Sequence, residues 1–217
     1  MSDNAESVIP LSAKEMSDAL SGCIIGREIF ILENTTSTND SVLKRTTTET
    51  LEGLTIFAEQ QTAGRGQRHN QWESARGKGL WFSILLRPRI DIGKSIRLSE
   101  WAAAAVARTI SEQFALPATV KLPNDVYLGD KKVAGVLVEM RAQENAPHFA
   151  IIGIGVNVNH RAQDFSEALR SRATSIALTL DRSAKGRIRR GEEINRQQFA
   201  IALLRDLDAS YRETFAL

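Results

Sequence analysis

Cysteine is nearly absent: Cys23 is the single thiol in 217 residues. One thiol excludes an internal disulfide and a Cys-based metal site, and it fits a reducing cytoplasm. Excess charge is missing too. Lys plus Arg is 28 against 26 Asp plus Glu, a formal charge of +2, which gives no bulk electrostatic reason to bind nucleic acid or a membrane surface. No run approaches the ~18 apolar residues a membrane helix needs; even Leu80–Leu86 is too short. The first residues carry acids early and have no apolar core of signal-peptide length. There is no internal repeat, no low-complexity tract and no P-loop pattern. What remains, 42% hydrophobic and 25% charged residues, is the mix of an ordinary globular protein.

Five apolar stretches rich in Ile, Val and Phe read as buried strands: Glu28–Glu33, Leu54–Glu59, Gly79–Leu86, Lys132–Met140 and His148–Val158. Two shorter ones, Thr119–Leu122 and Val126–Leu128, precede the fourth, and Gly129-Asp130 suits a hairpin turn into it. Val106, Ile110 and Phe114 share a helical face, with Ser99 as N-cap and Pro117 as the stop. Phe199, Leu203, Leu207 and Tyr211 repeat the spacing after a cap at Asn195, and Phe165, Leu169, Ile176 and Leu180 predict a weaker helix between. The first ~20 residues read as a polar, loosely held lead-in with a short helix. The expected class is α/β or α+β in one domain, with a mixed sheet covered by helices. The basic run Lys185–Arg190 invites a nucleic-acid reading, but without interleaved aromatics it reads as a charged surface loop.

Chemistry concentrates in four places. Gly64–Arg89 holds six basic residues against Glu73, together with Gly64, Gly66, Gly77 and Gly79. Glycine backbone admits an anion closely, and arginine offers a fork of donors matched to phosphate or carboxylate. Such a segment is either a loop that orders over a polyanion or a solvated hairpin. Lys121-Leu-Pro-Asn-Asp125, followed by Lys132, would bring Asp125 and Lys132 together across a hairpin. They form either an acid–base and anion-holding pair or a surface ion pair contributing ~0–1 kcal/mol. Gly153-Ile-Gly155-Val-Asn157 marks close backbone approach or a bulge, with Asn157 as a polar anchor for a nucleotide. Thr36–Asn39 caps a short helix, Asp40–Thr46, whose amides also suit an anion or polar ring.

In this order, Thr36–Asn39, Ala58–Trp72, Gly79–Leu86, Lys121–Glu139 and Gly153–Asn157 resemble the catalytic domain of the biotin protein ligases. The resemblance runs over roughly residues 28–158 and implies a mixed, largely antiparallel sheet flanked by helices, similar to the class II aminoacyl-tRNA-synthetase-like fold. It implies a two-step reaction: biotin and ATP, with Mg²⁺, give biotinyl-5'-AMP, and a lysine of a biotin carboxyl carrier domain then takes the biotin. It implies that Ser37, Thr38, Asn39 and Gln61 line the biotin ring. Gly64, Arg65, Gly66 and Gln67, with Arg68 beside them, would form the biotin-and-phosphate loop. Trp72 would pack by adenine, Lys132 would hold carboxylate and phosphate, and Asp125 would be the base for the acceptor lysine. Asn124, Gly135, Gly153, Gly155 and Asn157 would shape the remaining wall.

The loop departs from the family pattern Gly-Arg-Gly-Arg-x-Gly-Arg-x-Trp: Gln67 and Asn70 replace arginines and His69 a glycine, while Arg68 stands one position along. Fewer cations weaken ATP use or retention of the adenylate. Leu122 stands where the family usually has tryptophan. The expected domains are a lead-in over 1–27 and a catalytic domain over 28–217, with no DNA-binding domain before it and no small β-domain after it. The compartment is cytoplasmic, and a homodimer is a further partner to test. Two other readings stand beside the ligase: a lipoate or octanoyl transferase, against which no Arg-Arg-x-Ser-Gly-Gly stretch is found, and a degenerate biotin-binding relative.

Overall fold

The structure, a computed structural model, describes residues 10–143, 146–182 and 193–216. The basic run Lys185–Arg190 lies outside the described residues. Among the described residues seven strands follow in chain order: β1 (Glu28–Thr35), β2 (Leu54–Gln61), β3 (Gly79–Leu86), β4 (Ala118–Lys121), β5 (Asp125–Leu128), β6 (Lys131–Gln143) and β7 (Ala146–Asn157). Among the same described residues six α-helices accompany them: α1 (Ala13–Ala19), α2 (Thr38–Arg45), α3 (Ile96–Phe114), α4 (Glu167–Arg170), α5 (Ile176–Arg182) and α6 (Arg196–Thr214). The strands form one sheet in the order β1-β2-β3-β7-β6-β5-β4. β1 and β2 are parallel and every other pair is antiparallel.

Strand alternation divides the sheet into two unlike faces. Leu80, Phe82, Ile84 and Leu86 of β3 and Ala150, Ile152, Ile154 and Val156 of β7 enter the main core, under α3 and α6. The opposite face carries a small cluster, Leu54, Ile56, Leu85, Phe149 and Ile151, closed by Val42 of α2. Both faces of β3 are covered, so it is an unbroken apolar run and not an alternating one. Beyond that cluster the second face stays open, and the site lies there.

Three expectations change. Helix α3 begins at Ile96 with Ser95 at its cap, and Ser99 is buried within it, because a 3-10 turn over Ile92–Lys94 already starts the winding. The single weak helix is two, α4 and α5: the Ser175 hydroxyl accepts the Leu178 amide at 3.0 Å and starts a fresh helix there. From residue 11 the lead-in is core, not a loose tail. Met16, Leu20 and Ile25 join the main cluster. Asp208 of α6 accepts the Ile24 and Ile25 amides at 2.7 and 2.9 Å, and Arg205 and Arg212 donate to the Ala19 and Gly22 carbonyls.

The start of α6 is fixed by Asn195, whose side chain accepts the Gln198 amide, as its spacing predicted. Next to it Arg196 forks onto Glu59 of β2, Nη1 to Oε2 at 2.8 Å and Nη2 to Oε1 at 3.3 Å, with both side chains buried. Arg196 also donates to the Gly79 carbonyl at 3.1 Å. Removing one partner strands a charge in the interior, so Arg196→Ala should cost about 3–5 kcal/mol. Denaturant titration measures this, and a loss under ~1 kcal/mol, the range of exposed pairs, would mean that Glu59 finds water.

Candidate functional site

The floor of the site is a row of paired residues on the open face. Trp81 lies opposite Gly155, Gly155 opposite Gly135, and Gly135 opposite Asp125; the next row runs Ser83, Gly153, Leu137. The glycines admit side chains from above. A Cβ on Gly155 would lie 2.6 Å from the Trp72 ring, one on Gly135 3.0 Å from it, and one on Gly153 2.3 Å from Asn39 Oδ1. The indole of Trp72 thus lies directly on the sheet, edge-on to Trp81 at 6.1 Å.

Trp72 closes the glycine loop that begins at Gly64: its amide donates to the Gly64 carbonyl at 2.9 Å, and Gly66 N donates to Asn70 O at 2.7 Å. Arg68, at the loop tip, takes a left-handed conformation with φ 55°. Arg65 pairs with Asp40 at 2.8 Å and Glu139 at 3.1 Å, tying the loop to α2 and β6. The same Glu139 accepts Asn39 Nδ2 at 2.7 Å. The buried Ser83 hydroxyl sits between Thr38 Oγ1 at 2.7 Å and Asn39 Oδ1 at 2.6 Å. Gln61 accepts the Thr38 amide at 2.8 Å and donates to Ser74.

Lys132 reaches this face through a bulge. Val126 pairs with Ala134 and Tyr127 with Lys132, so Val133 has no opposite number. The extra residue reverses the alternation and turns Lys132 over Gly135. Its ammonium lies 2.6 Å from Asp125 Oδ1 and 5.4 Å from the Trp72 ring. Its backbone is clamped through both of its polar groups: Lys132 N donates to Arg172 O and Thr174 N to Lys132 O, each at 2.9 Å.

A small, partly open pocket gathers Ser37, Thr38, Asn39 and Gln61 at one end, Arg65, Gly66, Gln67 and Trp72 along the loop, and Asn124, Lys132, Gly135, Gly153 and Gly155 on the sheet side. Four expected residues stand outside it. Gly64 is packed behind Trp72, where a Cβ would lie 2.5 Å from the Trp72 carbonyl. Arg68 and Asp125 face an outer cleft. Asn157 does not shape this wall; it shares the face but lies past Trp72, in a second cleft, where its Nδ2 donates to Thr174 O at 3.0 Å. Sequence reasoning missed Val136, Leu137 and Ile154 in the pocket, and Ser83, Asp40 and Glu139 behind it. The available signals were a serine inside an otherwise apolar strand and an acid closing the β6 run.

The second cleft is lined by Trp72, Lys132, Asn157, His160, Phe165 and Leu169, among others. His160 stacks on Phe165 at 4.9 Å and meets Trp81 edge-on. Burial lowers its pKa from 6.5 to about 4; Lys78 adds to the fall and Asp164 opposes it. Among the described residues no group of three or more His, Cys, Asp or Glu gathers as a metal site, and no helix is long and apolar enough to cross a membrane.

A cationic hub between a polar-ended pocket and an aromatic-walled cleft suits an enzyme that joins a carboxylate to a nucleotide. The family model of the biotin/lipoate A/B protein ligases matches residues 31–157, and the chain belongs to that family. It is 33% identical over 203 residues to the bifunctional ligase/repressor BirA of Bacillus subtilis, covering 94% of this chain and 59% of that protein. It is 30% identical over 207 residues to the biotin–[acetyl-CoA-carboxylase] ligase of Mycobacterium tuberculosis, covering 92% and 70%. The biotin protein ligase from Aquifex aeolicus in complex with biotin and ATP superposes with a TM-score of 0.69 at 28% identity, over 86% of this chain and 71% of that one. The chain spans 59%, 51% and 43% of the ligase/repressors of B. subtilis, B. spizizenii and E. coli.

His160 gives the fold a pH dependence of known sign. The unfolded chain binds a proton near pH 6.5 that the native chain refuses until about pH 4. Stability present above pH 6.5 is therefore lost as pH falls through that window, by about 3 kcal/mol. In denaturation curves from pH 7 to 4, wild type should lose that much more than His160→Phe; parallel losses would show that native His160 protonates freely.

Proposed function

We propose that the chain is an ATP-dependent ligase that forms biotinyl-5'-AMP and passes biotin to a lysine of a biotin carboxyl carrier domain. The observation that carries this reading is the position of Lys132, which lines both the polar-ended pocket and the aromatic cleft. Biotin's carboxylate must attack the α-phosphate, so two anions approach each other. A fixed ammonium between them offsets the repulsion and the charge of the transition state. The new bond joins carboxylate oxygen to phosphorus, and pyrophosphate leaves. Mg²⁺ enters with the triphosphate as part of the substrate, which asks for only one or two protein carboxylates.

In this reading Ser37, Thr38, Asn39 and Gln61 receive the biotin ring. The amide of Asn39 is already held by Ser83 and Glu139, so it contributes shape more than free donors. Arg65 acts by holding the glycine loop down, since its guanidinium is engaged by Asp40 and Glu139. Gly66 and Gln67 close over the ligand and Trp72 separates the two clefts. Asn157, with His160 and Phe165 nearby, serves the nucleotide side. The loop also shelters the reactive anhydride from water. The carrier domain is the protein partner, a reducing cytoplasm the compartment, and a homodimer a further assembly of the same reading. No feature of the pocket favours a lipoate or octanoyl transferase.

Biotin- and ATP-dependent pyrophosphate release tests the reading, with lipoate and octanoate as control acids. Release with biotin alone is expected; release with the other acids only would overturn it. Lys132→Ala should cut release by roughly 10²-fold or more while the fold is retained, and an unchanged rate would remove Lys132 from its role. Gln67→Arg restores a cation beside the phosphate. A charge-assisted hydrogen bond contributes about 1.5–3 kcal/mol, so loss of biotinyl-AMP from the site should slow by about tenfold or more. Equal dissociation rates would show that residue 67 does not face the adenylate.

A further inference from the structure

Lys132 keeps its place without the strand ladder that fixes its neighbours. Its amide donates to Arg172 O and its carbonyl accepts Thr174 N. Both main-chain groups therefore point away from Tyr127, its partner on β5. On that far side β6 and β7 pair only from Ala134 and Val156 onward. Val158, which regular pairing would set opposite Lys132, is engaged elsewhere: its amide donates to Lys78 O and its carbonyl accepts Ala177 N. The segment Arg172–Thr174 takes the strand position instead, through a parallel bridge between Lys132 and Ala173.

That segment carries no strand of its own, and its anchorage comes from the next residue. The Ser175 side chain is fully buried. Its hydroxyl donates to His160 O at 2.7 Å and accepts the Leu178 amide at 3.0 Å. One side chain thus joins the segment to the chain leaving β7 and to the first turn of α5. Asn157 Nδ2 on Thr174 O at 3.0 Å and the Ala177 amide on Val158 O at 2.9 Å add two further ties. Ser175 lines none of the three clefts that meet at Lys132. We propose, resting on the ligase reading above, that Ser175 is a positioning residue for adenylate formation: it fixes where the Lys132 ammonium sits while touching neither acid nor nucleotide.

The bulge at Val133 makes such an anchor necessary. A lysine is a point charge on a flexible four-carbon stem, so its ammonium is only as well placed as the Cα it springs from. Here that Cα sits where regular pairing has stopped on one side and slipped by a residue on the other. Misplacing a reacting group by about 1 Å costs on the order of 10²-fold in rate. Losing one of three ties to the segment should produce part of that shift. A plain helix cap would behave differently: its loss lowers stability and leaves the turnover of the folded enzyme alone.

The test is steady-state pyrophosphate release by the full chain, with biotin and ATP each varied. Ser175→Ala, shown by circular dichroism to be folded at the assay temperature, should lower kcat by at least about tenfold. Its KM values for biotin and ATP should stay within about twofold of wild type, the pattern of an interaction realised in the transition state. Ser175→Thr keeps the hydroxyl and should restore kcat. Ala177→Pro deletes a second tie in a helix first turn, where proline is tolerated, and should lower kcat in the same way; it carries the comparison if Ser175→Ala does not fold. In a Lys132→Ala background, followed over hours to reach the residual rate, either change should lower release by less than about twofold, because the group it positions is gone. Equal fold-losses with and without Lys132, or wild-type kcat in a folded Ser175→Ala, would overturn the proposal. Absence of biotin-dependent pyrophosphate release in wild type would instead overturn the ligase reading, and the role of Ser175 with it.

Discussion

Gly135, Gly153 and Gly155 lie on neighbouring central strands with nothing above their Cα atoms but side chains from elsewhere. That absence is the constraint on which the open face depends. Trp72 rests on two of them and Asn39 on the third, so the glycine loop and the start of α2 can both come down to the backbone of the sheet. Three missing methyl groups therefore set the depth of the pocket. The main core on the other face backs β3, β6 and β7 through long aliphatic rows under α3 and α6.

The polar groups above the floor form one connected series from Thr38 through Ser83, Asn39 and Glu139 to Arg65 and Asp40. In partly buried surroundings such chains rigidify when every member is satisfied. Here the chain spans β3, α2, β6 and the loop, so the end of the pocket and the lid over it are held by the same bonds. Lys132 belongs to a different arrangement. Its backbone is tied to the segment Arg172–Thr174, which Asn157 holds in turn.

Much of the architecture was legible in the residues. Dense Ile, Val and Phe located the five long strands to within about three residues at each end, the Gly129-Asp130 turn was real, and the spacing of Phe199, Leu203, Leu207 and Tyr211 gave α6 with its cap. Errors arose where a local rule met a tertiary partner. Ser99 is a good cap by type but became interior, because the chain was already turning at Ile92–Lys94. The lead-in looks polar by composition, while its few apolar residues, Met16, Leu20 and Ile25, are the ones the core takes. At the site, the short motifs converge on one face of the sheet, but they do not say which charges oppose one another. The partners of Arg65 come from α2 and β6. The side of the sheet on which Lys132 emerges depends on a bulge at Val133 that no local pattern announces.

The double clamp on the Lys132 main chain has a geometric consequence. The amine springs from a point that cannot slide along the sheet, since both main-chain polar groups of its residue are bonded to the one segment Arg172–Thr174. The opposite end of the slot, at Thr38 and Asn39, is equally fixed. In the proposed ligase reading, a carboxylic acid lying between these two ends is measured by them as by a ruler. A tail too short leaves its carboxylate out of reach of the amine, and one too long cannot seat its ring, so selection by length is built into the frame before any contact with the chain itself is counted.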